Sequence, residues 1–154
     1  MINLYDIDKF ISDTLKEQEF LDFCRDTIAK ELEHFVQVDA KYMQKQTNYI
    51  YIANFGTWDD KENRRETYKS FIDFVIDFGE PTTVNGVTKH LEKENLEKVA
   101  NFAIQSINKN LRDLSPKLKL LSVTTNIAET AGATTIKCVV PLTFGITRNL
   151  GECK

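Results

Sequence analysis

Acid–base chemistry needs a histidine or carboxylate held within hydrogen-bond reach of a partner, and this chain has only two histidines. His34 falls at a helix-to-strand joint and His90 just before a long helix. Spacing supplies neither with a partner, so both read as structural or solvated. Asp73 and Asp77 alternate along a strand and share one face, where two carboxylates could exchange protons. An outward sheet face is also commonly charged, and that plainer reading is preferred. Asp59, Asp60, Glu62 and Glu66 could surround a divalent cation. Their spacing lacks the alternation and closing glutamate of a calcium loop, and Lys61, Arg64 and Arg65 repel a cation. Cys24 sits on an apolar helix face and reads as a small buried hydrophobe. No G-x-S-x-G turn and no phosphate-cradling glycine loop is present. The expectation is a protein that is not an enzyme, without catalytic residue, metal or cofactor.

One cluster points to binding instead. Phe55 and Trp58 flank a charged stretch, and Arg64 and Arg65 follow. Aromatics beside arginines can stack single-stranded nucleic acid, and the same types are enriched at protein interfaces. Residues 57–69 carry four acids and four bases. A neutral stretch favours a protein partner, so Phe55, Trp58, Arg64 and Arg65 are candidate interface residues.

These residues must be positioned by ordinary globular elements. The 154 residues fit one domain, spanning 1–154 with a short polar tail at 149–154. The net charge of −3 lacks the basic excess of a free-standing nucleic-acid binder. The charge is unevenly spread. Residues 6–33 hold nine acids and four bases (net 9 − 4 = 5 negative), and residues 117–154 hold five bases and two acids (net 5 − 2 = 3 positive). Two solvated faces explain this, and so would head-to-tail contact between copies. Three cysteines with no C-x-x-C argue against a disulfide framework or zinc. No signal peptide or membrane span is expected, and a reducing cytoplasm suits the cysteines.

Leu4, Ile7, Ile11 and Leu15 mark a first amphipathic helix near 5–16, and Leu21, Cys24, Ile28 and Leu32 a second. Strands are expected near 34–41 and over the apolar run 49–55, with 57–69 as a solvated loop. Tyr68 to Phe78 alternates as a third strand. Residues 82–90 form a short extended segment turning at Asn85-Gly86. The stripe Leu96, Val99, Ala100, Ala103, Ile107, Leu111 and Leu114 predicts a long helix over 92–114, stopped by Ser115-Pro116. Leu118 to Glu129 and Ala133 to Thr147 form a closing hairpin, the second strand alternating from Ile136 to Ile146. The order α-α-β-β-β-α-β-β predicts an α+β fold, a mostly antiparallel sheet with helices packed on one face.

Three segments resemble the tail terminator (tail completion) proteins of long-tailed bacteriophages. They are Tyr49-Ile50-Tyr51-Ile52 closing at Phe55-Gly56-Thr57-Trp58, Asn85-Gly86-Val87 leading into Glu94 to Ala100, and the hairpin from Leu121-Ser122-Val123 to Val140-Pro141-Leu142-Thr143-Phe144. The resemblance follows element order over most of the chain. It implies a structural virion protein, made in the host cytoplasm and found at the tail–head junction. Such proteins form a ring, commonly a hexamer, on the finished tail tube. The ring stops tube polymerisation and offers a face to neck or head-completion proteins. DNA passes through its lumen without specific binding; six copies at −3 would carry about −18, which suits sliding. The turn at Thr130, Ala131, Gly132 and Ala133, or the 57–69 loop, could then reach an adjacent ring. Alternatives are a head-completion stopper or other neck protein, and a small cellular ligand-binding or enzymatic α+β domain.

Overall fold

The computed structural model describes residues 2–60, 65–129 and 134–147. Helix α1 (Leu4–Thr14) begins at Asn3, whose side chain accepts from the Asp6 amide at 2.9 Å while Asp6 accepts from the Asn3 amide at 3.0 Å. This reciprocal box fixes the helix start. Helix α2 (Gln18–Ile28) follows after a turn and stops where Ala29 turns left-handed, so Leu32 of the expected stripe lies beyond it. Strand β1 (Glu33–Val36) is shorter than expected. Gln37 leaves it at a positive φ of 53°, and the one-turn helix α3 (Ala40–Met43) follows.

Strands β2 (Tyr49–Asp60) and β3 (Arg65–Asp77) form one long antiparallel hairpin. The expected loop at 57–69 is therefore mostly strand, and Trp58 pairs with Thr67 and Asp59 with Glu66. A strand end solvated on both faces tolerates charge, so charge density did not mark a loop there. The part between, 61–64, lies outside the described residues. A small second sheet follows, β4 (Thr82–Val84) and β5 (Val87–Lys89). Its turn residues Asn85 and Gly86 have φ of 52° and 79°. Two positive φ values are what the tightest hairpin turn demands.

The long helix α4 (Leu91–Leu114) buries Leu96, Val99, Ala100, Ala103, Ile107 and Leu111. The expected strand 118–129 is two: β6 (Leu118–Val123), with a register shift between Leu120 and Ser122, and β7 (Asn126–Glu129). Both pair with β8 (Thr135–Thr147), giving the order β1-β2-β3-β8-β6 with β7 beside β8. The pairing is antiparallel except between β1 and β2.

The fold is α+β, with a mostly antiparallel sheet. One sheet face is covered: Ile50, Ile72, Phe74, Ile136, Cys138 and Val140 are fully buried in one cluster with the stripes of α1 and α4 and with Phe20 and Cys24 of α2. Side chains alternate faces, so the neighbours of these residues point the other way. There the segment around α3 covers only one end, where Met43 packs with Tyr49 and Val75. Among the described residues nothing packs over the rest of that face.

Candidate functional site

The open face owes its shape to an irregularity. Phe55 and Trp58 are three residues apart, and strict alternation would send them to opposite faces. The β2–β3 register shifts between Asn54 and Gly56, leaving Phe55 as an extra residue. A bulge of this kind re-aims side chains. Asn54 turns inward, and Phe55 and Trp58 turn out on the same face. Phe55 is 60% exposed and its ring lies 4.8 Å from Phe71 at 37°. Tyr51 continues the cluster, 5.8 Å beyond Phe71. Lys69 Nζ sits 4.5 Å over the ring of Trp58, which is 44% exposed. Arg65 shares this face, two residues along β3 from Thr67, the partner of Trp58. Its Nε is buried and has no hydrogen-bond partner among the described residues.

Three of the expected interface residues, Phe55, Trp58 and Arg65, thus come together on one surface. Arg64, Thr130, Ala131, Gly132 and Ala133 lie outside the described residues, as does the tail 149–154. Gly56 holds the bulge at φ +138°, where an added Cβ would also stand 3.4 Å from the Trp58 ring. Gly56→Ala is expected to cost about 1–3 kcal/mol. Urea unfolding with Trp58 fluorescence as the probe would measure it. An unchanged midpoint and spectrum would mean that the bulge does not depend on this glycine.

Beneath the bulge lies a group that sequence reasoning missed. Asp8 of α1 is fully buried. Its Oδ2 accepts from Gln37 Nε2 at 2.6 Å and Asn54 Nδ2 at 2.9 Å, and its Oδ1 from Ser70 Oγ at 3.0 Å. Helix α1, the chain leaving β1, the bulge of β2 and the centre of β3 all meet at one carboxylate. Asp8 stands next to Ile7 in an apolar stripe, and the polarity of residues 29 to 62 positions away is the only signal that could have marked it.

The other candidate groups are occupied or subdued. His34 and Cys24 line a cavity of about 270 Å³ with Phe20, Leu32 and Ile50. Burial pushes the Cys24 thiol up to about 12 and the Cys138 thiol to about 11. Neither is a ready thiolate. Asp73 lies on the open face, its pKa raised by burial and pulled back by Lys137, whose Nζ is 3.8 Å away. That distance is an ion contact rather than a hydrogen bond. Asp77 accepts from Asn48 Nδ2 at 2.9 Å. Glu66 accepts from the Tyr68 hydroxyl at 2.8 Å. The His90 ring packs 4.6 Å from Phe78.

Burial, helped by the charge of Lys16, holds the His34 pKa below its ordinary 6.5. The unfolded chain therefore takes up the proton first as pH falls. The contribution of His34 to stability is full above 6.5 and is lost as pH drops from there through the folded value. Urea midpoints between neutral and mildly acid pH should fall in the native protein and fall less in His34→Gln. Identical slopes would contradict this account.

The helical layer presents the opposite charge to the open face. Asp6, Asp13, Glu17 and Asp113 line a groove of about 390 Å³ between α1 and the end of α4, over Phe10 and Leu114. Among the described residues no helix is long and apolar enough to cross a membrane. No protein-family model matches the chain, and no curated protein matches it.

Proposed function

We propose that this chain is a structural virion protein that caps the end of a phage tail tube as a ring, stops its polymerisation and forms part of the head–tail connection. The observation that carries the reading is the open aromatic face of the sheet. Phe55, Trp58, Phe71 and Tyr51 are presented together on a face that the chain's long helices leave uncovered. Contiguous exposed apolar surface of this kind marks an interaction site, and aromatic side chains with arginine are the residues such sites favour.

Three further features favour assembly. The sheet is built on three strands of 12 and 13 residues, a stiff base on which to hold a contact. Edge strand β1 pairs with β2 only over Tyr49–Ile52, so among the described residues the rest of β2 is an open edge that a further copy could cover. Acidic and basic surfaces lie on different layers, which suits a head-to-tail contact that closes. In this reading the partners are further copies of the chain, the tail tube protein and a neck or head-completion protein. DNA passes through the lumen unbound.

Negative-stain images of native particles, labelled with antibody to this chain, test the reading. Label at the tail–head joint is expected. Label elsewhere in the lysate and none at that joint would sink it. A stopper would instead fill portal-bearing heads and leave isolated tail tubes uncapped.

A further inference from the structure

Beyond the segment around α3, the open face is apolar at its centre and basic around it. Phe55, Trp58 and Phe71 form the centre. At the end away from α3 the described side chains Arg65, Lys69 and Lys119 give an excess of three positive charges, while Lys137 lies against Asp73 toward the α3 end, where Asp77 also stands. The groove between α1 and α4 is its inverse. Asp6, Asp13, Glu17 and Asp113 stand against Lys9, an excess of 4 − 1 = 3 negative charges, with Phe10 and Leu114 supplying apolar surface. The groove belongs to the helical layer and the face to the uncovered side of the sheet. Within one chain they cannot meet.

We infer that the open sheet face of one copy docks on the α1–α4 groove of a second copy. The inference rests on the reading of the chain as a ring subunit and names the contact by which the ring would be built. The contact is heterologous: each copy keeps one free face and one free groove, so copies add in one direction until the ring closes. Matched opposite charges set the orientation, and the aromatic centre supplies the apolar burial. A single-stranded nucleic acid is a poorer occupant. The net charge of −3 repels a polyanion, and Lys69 already covers one face of Trp58.

A charge swap tests it. One variant carries Lys69→Glu and Lys119→Glu on the face. The other carries Asp13→Lys and Asp113→Lys in the groove. Sedimentation velocity is run up to millimolar protein at low salt. Native protein is expected to associate, and to do so less as salt rises. Each double variant alone opposes like charges, and its association should weaken at least about tenfold. Mixed one to one, every contact in an alternating ring is again complementary, so assembly should return. Circular dichroism checks folding. Should either variant unfold, Phe55→Ser in the otherwise native chain is expected to abolish association by itself.

Native protein that stays monomeric throughout overturns the inference. So do double variants that associate like the native protein, or a mixture that stays monomeric. Quenching of Trp58 by an oligothymidylate on monomeric protein overturns it in favour of a nucleic-acid face. Antibody label at the tail–head joint reports on the virion role separately, so failure of the swap with label in place removes only this contact.

Discussion

Replacing Asp8 with alanine is expected to cost about 2–4 kcal/mol of folding stability. The side chain is fully buried and accepts three hydrogen bonds, from Gln37, Asn54 and Ser70. A buried donor that loses its acceptor costs about 1–3 kcal/mol. The three losses will not add in full. Gln37 is exposed enough to turn to water, and a serine hydroxyl can rotate to a new acceptor. Asn54, held inward by the bulge, has the fewest alternatives. Asp8→Asn keeps the shape but aims an amide donor at donors, so it should fall between native and alanine. For a chain of this length the alanine variant should melt about 5–15 °C lower. A double-mutant cycle between Asp8→Ala and Asn54→Ala should give a coupling of about 0.5–3 kcal/mol. Additive losses would mean that the carboxylate does not hold the bulge. Where the coupling is present, Asp8→Ala should also impair assembly, because Phe55 and Trp58 owe their shared face to that bulge.

The long periodic elements were legible in the sequence because each satisfies its period by itself. Ile136 to Phe144 alternates without a break, and its inward residues are all buried. The stripe of α4 is likewise buried as its spacing demanded. Asn85-Gly86 marked its turn through backbone chemistry alone. What sequence reasoning lost depends on residues far apart in the chain. Thr57 to Asp60 are strand because Arg65 to Tyr68 pair with them. The break within 118–129 follows the bulge at Leu121, which packs over Gly145 of the partner strand: a Cβ on that glycine would come within 2.5 Å of Leu121 Cδ1. Asp8 is a site only once Gln37, Asn54 and Ser70 arrive. The candidate interface was half legible for the same reason. Residue type nominated Phe55, Trp58 and Arg65, but the charge density around them read as a solvated loop at 57–69 and gave Trp58 and Arg65 no face. One extra residue in β2 brings them together, and nothing local except Gly56 signals it.

Two phenylalanines in the same sheet separate what folds the chain from what the chain binds. Phe74 is fully buried, paired with Ile50 on one side and Cys138 on the other. Truncating a buried phenylalanine removes its transfer energy and leaves a cavity, so Phe74→Ala should cost about 3–5 kcal/mol. Phe55 is 60% exposed and touches mainly the Phe71 ring. Losing such an aromatic pair costs about 0.5–1.5 kcal/mol, so Phe55→Ala should unfold only slightly earlier than native. Assembly should rank the two differently. At a temperature where both variants are folded, Phe74→Ala should still associate and Phe55→Ala should not. Urea unfolding paired with sedimentation would read both axes. A large stability loss at Phe55 with association intact would make the open face part of the core and leave the chain without its binding surface. The expected pattern, stability lost on the covered face and association lost on the open one, is that of a sheet whose two sides bury against different molecules.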